Sequence, residues 1–243
     1  MPTTCGHLLG GLVRYAQPQH GYRTGIEPVL LAAAVPARPG ERVLEAGTGA
    51  GAALLCLAAR VVGLTGMGVE REAGLAALAR QNIAANGWTD RLSVLAGEVG
   101  DLGDVAAPGA FDHALANPPW HDPAATASPV AARAAAKRAS PGLLAHWAEA
   151  LARRLRRRGS LTLILPAAAL AEGVTALAAA QCGAVTLLPL WPHEGEPARL
   201  LLLRGLKSAG DACRMLPGLV LHRPQGGYTE AAEAVLRDGR PLC

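Results

Sequence analysis

Short apolar runs alternate with alanine-rich helical segments along most of the chain, and this alternation constrains the fold more than any other feature. The helical segments carry leucines at helical spacing, whereas the apolar runs have the length of single strands. Such alternation is typical of a parallel sheet covered by helices on both faces. The clearest predicted strands are 42–46, 65–69, 92–95, 111–116 and 161–165. The predicted helices between them are 50–62, 71–86, 141–158 and 167–181.

The last two predicted strands, 184–191 and 198–206, break this rhythm because only about six residues join them. Parallel neighbours need a connection of roughly a dozen residues or more, so this pair predicts an antiparallel hairpin. The predicted fold class is therefore α/β, a Rossmann-like, doubly wound and mostly parallel sheet with a C-terminal antiparallel hairpin. We expect a single domain over 1–243. It would comprise an N-terminal segment that lines the site (1–40), the core (41–207) and a C-terminal extension (208–243).

Hydrophobic residues make up 51% of the chain, yet no apolar run is long enough to cross a bilayer. The most apolar stretch, 161–192, is interrupted by Pro166 and Glu172. The N-terminus lacks the pattern of an export signal. The five cysteines are scattered and odd in number, which favours free thiols, and neither cysteines nor histidines have metal-ligand spacing. These features predict a cytoplasmic protein that uses no membrane and no metal.

The segment 43–51, Val-Leu-Glu-Ala-Gly-Thr-Gly-Ala-Gly, is a glycine loop between a strand and a helix. Gly47, Gly49 and Gly51 permit positive φ and a close approach of a ligand to the backbone. The helix start adds free N–H groups that suit an anion. By itself the pattern also fits a relaxed dinucleotide fingerprint or a purely structural turn.

Three acidic residues at or after the ends of successive predicted strands narrow these alternatives. Glu45 precedes the first glycine, where a carboxylate can bind the ammonium of a methionine moiety. Glu70 lies about 20 residues past the loop, the usual distance for an acid that binds ribose hydroxyls. Glu98 follows the third strand and suits an adenine amino group. Each acid alone could be a solvated loop residue, but together they favour a ligand built of methionine and adenosine.

Asn117-Pro118-Pro119-Trp120 directly follows the strand 111–116. The two prolines restrict the backbone, so the Asn117 side-chain oxygen and the Pro118 carbonyl form a rigid pair of acceptors. This pair suits the two hydrogens of an sp² amine, and Trp120 offers a flat face for stacking. The alternative is a Pro-Pro turn beside a buried tryptophan.

The glycine loop and the Asn-Pro-Pro-Trp tetrapeptide resemble motifs I and IV of class I S-adenosylmethionine-dependent amino-methyltransferases. The segments 19–31 and 219–229 resemble one branch of that family, the bacterial tRNA(Val) adenine-N6 methyltransferases. In this chain Trp120 stands where the family usually has Tyr or Phe, and Glu27 and Glu98 stand where Asp is commoner. The resemblance implies that Asn117, Pro118, Pro119 and Trp120 hold the target amine. It also implies S-adenosylmethionine as cofactor, bound by Arg23, Thr24, Gly25, Glu45, Gly47, Gly49, Gly51, Glu70, Glu98 and Asn117.

Basic residues concentrate just after this motif: residues 121–160 hold eight Lys or Arg against two acids. Arg133, Lys137 and Arg138 follow the motif closely, so with Trp120 they are the predicted substrate contacts for an RNA phosphate backbone. Five arginines, 153, 154, 156, 157 and 158, end the predicted helix 141–158 and should lie on the opposite edge of the sheet from Asn117.

We therefore expect N-methylation of an adenine N6 amino group in tRNA or another structured RNA. Three alternatives stay open at this point. In the first, the methyl acceptor is a protein glutamine amide or a small amine. In the second, the chain is a nicotinamide-dependent oxidoreductase. In the third, it is a catalytically silent relative that binds RNA or cofactor. The oxidoreductase alternative leaves Glu45 and the Asn-Pro-Pro-Trp motif without a role.

Overall fold

The computed structural model describes residues 1–20, 23–103, 107–119 and 142–242. Its helices are α1 (Glu27–Ala34), α2 (Ala52–Arg60), α3 (Ala73–Ala85), α4 (Leu143–Arg154), α5 (Leu170–Ala179) and α6 (Glu230–Leu236). Its strands are β1 (Thr3–Leu8), β2 (Val13–Pro18), β3 (Arg42–Ala46), β4 (Thr65–Glu70), β5 (Leu92–Ala96), β6 (Phe111–Ala116), β7 (Leu155–Pro166), β8 (Cys182–Trp191), β9 (Leu200–Lys207), β10 (Arg214–Met215) and β11 (Leu219–Val220).

Nine of these strands form one sheet in the order β10-β8-β9-β7-β6-β3-β4-β5, with β11 also paired to β8. Strands β3 to β7 pair in parallel with one another, whereas β9 runs antiparallel to both β7 and β8. The predicted α/β fold with its antiparallel hairpin is confirmed. The short β8–β9 connection is the physical reason for the hairpin, because it leaves no room for a crossover helix.

Helices cover both faces of the sheet because successive strand residues point to opposite sides. In β3, Val43 packs into one core with α1, α2 and α3, and Leu44 packs into a second core with α4 and α5. Within the ranges described above, no helix combines the length and apolar character that a bilayer crossing requires.

The helix predicted over 141–158 is shorter than expected, since α4 ends at Arg154 and Arg156, Arg157 and Arg158 lie in β7. The extended backbone lets Leu155 pair with Phe111 of β6. Arg156 then places its Nε 2.5 Å from Asp112 Oδ1, and Arg158 lies 3.2 Å from Asp211. These partners sit beside a strand, so pairing across the sheet prevails over the high helix propensity of arginine.

The N-terminal hairpin of β1 and β2 was not expected from the sequence. Its second strand is held by Asn82 of α3 and by Asn86, the residue that follows α3, rather than by a third strand. Asn82 accepts from the Ala16 N–H and donates to the Ala16 carbonyl, and Asn86 does the same for Arg14. Two asparagine amides thus supply the hydrogen bonds that an adjacent strand would make.

Candidate active site

The glycine loop follows β3 and Asn117 follows β6, and these two strands are neighbours. Both segments therefore lie at the carboxyl edge of the sheet. Strands β3 and β6 pair so that Ala46 lies opposite Ala116, and the next residues are Gly47 and Asn117. Adjacent strands are about 4.8 Å apart. The two motifs that the sequence separates by 70 positions therefore lie next to each other at this edge.

The glycine loop leaves open space for a ligand at Gly49. Gly47 and Gly49 have φ of 64° and 57°, in the left-handed region that favours glycine. A Cβ added at Gly49 would meet no heavy atom of the described residues within 4 Å. The loop continues into α2, whose N-cap is Gly51 and has no capping side chain. The N-terminal amides of α2 can therefore bind an anionic group.

Glu45 lies beneath the loop, with 3% of its surface exposed. Its Oε2 accepts hydrogen bonds from Thr48 Oγ1 at 2.5 Å and from the Leu54 N–H at 3.1 Å. Burial raises the pKa of Glu45 to about 8, although these two bonds oppose the shift. The carboxyl therefore braces the loop, and no described residue supplies a cation to it. Its predicted contact with an ammonium group stays a prediction.

Glu70 ends β4, and its carboxylate lies against the same loop. Its predicted contact with a ribose stays a prediction. Its Oε2 accepts from the Gly49 N–H and its Oε1 from the Glu72 N–H, each at 2.9 Å. Only 8% of its surface is exposed. Glu98, after β5, is exposed and lies 3.8 Å from Arg71. The structure thus brings Glu70 to the loop and leaves Glu98 at the solvent-facing rim.

The segment Arg23–Gly25 precedes α1 and is tied to the N-terminal hairpin. Thr24 bonds Tyr15 Oη at 2.7 Å through its hydroxyl and Gln17 Oε1 at 3.0 Å through its N–H. A side chain at Gly25 would overlap the Glu27 carboxylate, and Arg23 is exposed. The contact of this segment with a cofactor stays a prediction.

Asn82 connects that hairpin to the glycine loop. Its amide nitrogen donates both to the Ala16 carbonyl of β2 and to the Ala50 carbonyl of the loop, at 2.8 and 2.9 Å. With 3% of its surface exposed, Asn82 is a buried link between these two parts of the chain. It was not identified from the sequence, where a polar residue inside a helix carries no sign of such contacts.

In the Asn-Pro-Pro-Trp motif, Asn117 and Pro119 are half-buried and Pro118 is buried. The remaining predicted substrate contacts, Trp120, Arg133, Lys137 and Arg138, lie outside the described residues, as does His121 beside the motif.

Two further ring-bearing residues reach this edge from the first half of α4. A Cβ added to Gly47 would lie 2.6 Å from Trp147 Cη2, and a Cβ added to Gly100 would lie 2.7 Å from His146 Nε2. Gly100 belongs to the loop that carries Glu98. Sequence reasoning missed both residues. The sequence feature that could have indicated Trp147 is that it is one of few aromatic residues and lies in a helix after the Asn-Pro-Pro-Trp motif.

A second polar cluster occupies the opposite edge of the sheet. His113 Nδ1 lies 2.8 Å from Ser160 Oγ, and its Nε2 lies 2.9 Å from Glu41 Oε2. Burial lowers the pKa of His113, and Glu41 opposes that shift. Although a serine, a histidine and a carboxylate lie in line here, Ser160 is only 1% exposed and cannot meet a substrate. The cluster is a structural link between β6, β7 and the start of β3.

Among the described residues, no group of three or more His, Cys, Asp or Glu side chains is placed to hold a metal ion. The expectation that the chain needs no metal stays a prediction.

Comparison with known proteins shows which family has a similar sequence. The model of the methyltransferase small domain matches residues 26–146, which include the glycine loop and Asn117. The chain is 30% identical over 223 residues to the tRNA1(Val) (adenine(37)-N6)-methyltransferase of Aeromonas salmonicida, covering 86% of each protein. The chain belongs to the methyltransferase small domain family. It is an S-adenosylmethionine-dependent methyltransferase.

Further similarities agree with this methyltransferase assignment. A tRNA1(Val) (adenine(37)-N6)-methyltransferase from Shewanella amazonensis is 27% identical over 219 residues, covering 90% of this chain and 91% of that protein. Among solved structures, a predicted O-methyltransferase from Agrobacterium tumefaciens matches with a TM-score of 0.72 and 23% identity, over 89% of this chain and 98% of that one. The similarity to the Agrobacterium structure concerns the fold alone.

The residues of this methyltransferase fit S-adenosylmethionine at the carboxyl edge. The space at Gly49 admits a ligand, and the uncapped start of α2 suits the carboxylate of a methionine moiety. Glu70 offers carboxylate oxygens beside that space for ribose hydroxyls. The raised pKa of Glu45 means that its carboxyl takes up a proton at neutral pH unless a cation lies close.

Proposed function

We propose that this chain transfers the methyl group of S-adenosylmethionine to the N6 amino group of an adenine in tRNA. The observation that carries the proposal is the register of β3 and β6, which aligns Ala46 with Ala116 and so sets Asn117 beside the glycine loop. The proposed acceptor is the one for which the Aeromonas and Shewanella relatives are named.

The role of the chain in this reaction is to orient an amine. When bound, S-adenosylmethionine supplies a methyl group on a positively charged sulfur. The Asn117 side-chain oxygen and the Pro118 carbonyl accept the two amine hydrogens, which aims the nitrogen lone pair at that methyl group. A nitrogen–carbon bond forms as the carbon–sulfur bond breaks, and the electron pair goes to sulfur. The methylated amine then loses one proton to solvent, so no general base is needed beforehand.

The rigidity of the motif supports this role. Pro118 and Pro119 fix two successive φ angles, and Pro118 is buried, so the acceptor pair is held before the substrate arrives. Preorganised polar groups of this kind contribute most when they need no rearrangement during the reaction. Trp120 is proposed to stack on the adenine.

Binding of tRNA is proposed to use the basic residues that follow the motif. Arg133, Lys137 and Arg138 would neutralise phosphates near the catalytic residues. The arginines of the opposite edge are a poor alternative, since Arg156 already pairs with Asp112 and Glu41. We also propose a cytoplasmic location, where tRNA is found.

The proposal is tested with labelled S-adenosylmethionine and three acceptors: tRNA from a strain lacking the gene, a protein extract, and small amines. Digestion of the tRNA to nucleosides should place the label in N6-methyladenosine. Label in protein or in small amines instead would replace the RNA proposal, and label in another nucleoside would refute the N6 assignment.

A salt series of tRNA binding tests the proposed contacts. Lys137→Glu with Arg138→Glu should lower the slope of log affinity against log salt by about one per lost phosphate contact. The matched control, Arg153→Glu with Arg157→Glu, makes the same charge change on two exposed residues at the far end of α4 and the start of β7. If the control pair carries the slope, tRNA binds the other edge of the sheet.

A further inference from the structure

Trp147 reaches from α4 to the backbone of the glycine loop. The atoms nearest to a Cβ built on Gly47 are Cη2 at 2.6 Å, Cζ3 at 3.0 Å and Cζ2 at 3.7 Å. Because these distances increase away from Cη2, the six-membered ring meets Gly47 with its tip and not with a face. The side chain packs against the second core but is only half-buried, so part of the ring surface is left for another contact.

The position of Gly47 puts this ring beside the point proposed for methyl transfer. Gly47 follows Ala46, and Ala46 pairs with Ala116 just before Asn117. The ring tip therefore stands where the glycine loop meets the motif that holds the acceptor amine. The sulfur that carries the methyl group has to lie between these two, next to the tryptophan.

The chemistry of an indole suits the charge at that point. The face of a tryptophan ring is electron-rich and attracts a cation within about 6 Å of the ring centre. S-adenosylmethionine carries a positive sulfonium, whereas the product S-adenosylhomocysteine carries a neutral thioether. A ring face here attracts the substrate form of the cofactor more than the product form.

We infer that Trp147 is a cofactor-contacting residue whose ring face lies against the sulfonium of S-adenosylmethionine and favours its binding over that of S-adenosylhomocysteine. The inference rests on the proposed methyl transfer beside Asn117. It gives a function to the contact with Gly47, which is made by the ring tip and leaves the exposed part of the ring for the cofactor.

The test compares Trp147→Phe with Trp147→Leu. Phenylalanine keeps a π face, whereas leucine keeps apolar bulk without one. Dissociation constants of both cofactor forms are measured by calorimetry. We expect Trp147→Leu to weaken S-adenosylmethionine binding about 10-fold and S-adenosylhomocysteine binding much less. Trp147→Phe should retain most of the preference. Trp88→Phe, at a tryptophan beyond the end of α3 and beside Arg91, is the matched control and should change neither constant.

Three results would overturn the inference: unchanged constants in Trp147→Leu, equal weakening of both ligands, or equal preference in the Phe and Leu variants. Melting temperatures of all variants, measured without ligand, separate loss of folding from loss of contact. Failure of the wild-type protein to bind S-adenosylmethionine would instead contradict the proposed function itself.

Discussion

Replacing Glu45 by glutamine should make the ligand-free protein progressively more stable than wild type as the pH rises from about 4.5 to about 8. Glu45 is 3% exposed, and burial raises its pKa from 4.5 to about 8. In that window the folded protein keeps the carboxyl protonated while the unfolded chain ionises it. The folded state then binds more protons, so the free energy of unfolding of wild type falls with rising pH.

The size of the effect follows from the width of the window. A pKa difference between 4.5 and about 8, at about 1.4 kcal/mol per unit, corresponds to about 5 kcal/mol. Glutamine has nearly the same shape, keeps an acceptor for Thr48 and Leu54, and cannot ionise, so it does not lose this stability. The whole loss is reached near pH 8 and does not grow further above it.

The assay is chemical denaturation of both proteins, without cofactor, at intervals from pH 4.5 to 9. The difference in unfolding free energy should rise in favour of Glu45→Gln and level off above pH 8. Glu98→Gln, which removes one exposed carboxylate, corrects for the change in net charge. A difference that does not vary with pH would refute the reasoning, because Glu45 would then be ionised in the folded protein throughout.

Three further perturbations test the contacts around the site. Glu70→Ala removes the acceptor of the Gly49 N–H and should abolish most of the stabilisation by S-adenosylhomocysteine. In wild type this stabilisation is about 2.7 kcal/mol when the ligand is at 100 times its dissociation constant. An undiminished thermal shift would exclude Glu70 from cofactor binding. Asn82→Ala leaves buried backbone groups unpaired and should lower the unfolding free energy by about 3 kcal/mol; denaturation curves equal to wild type would mean that the link to the hairpin does not form. Arg156→Ala should lower the unfolding free energy by about 0.5–1 kcal/mol through loss of its half-exposed pair with Asp112, and by less at high salt. Arg157→Ala should cause no measurable loss. Equal losses in the two variants would assign the effect to charge alone.

Much of the sheet could be predicted because its strands are short, apolar and bounded by turns. The predicted bounds 42–46 and 111–116 agree with β3 and β6, since most residues of both strands are buried between the helices on the two faces of the sheet. The antiparallel hairpin followed from the length of one connection. The carboxyl-edge location of the glycine loop, Glu70 and Asn117 followed from parallel topology.

The parts that escaped prediction depend on contacts between distant residues. The end of α4 at Arg154 depends on Asp112, more than 40 positions earlier. The N-terminal hairpin depends on Asn82 and Asn86, which lie 66 and 72 positions from their partners. The contact of Trp147 with Gly47 is of the same kind. Local periodicity contains no information about such pairs, so only the folded chain reveals them.

The central claim, that Asn117 orients an amine beside the bound cofactor, is tested most directly by single-turnover methyl transfer to tRNA in Asn117→Ala. Removing one preorganised polar contact should slow the transfer about 10²- to 10³-fold. The dissociation constant of S-adenosylhomocysteine should stay close to that of wild type, because the glycine loop and Glu70, the main contacts proposed for the cofactor, are unchanged. A transfer rate equal to that of wild type, or a loss of cofactor affinity as large as the loss of rate, would contradict the account.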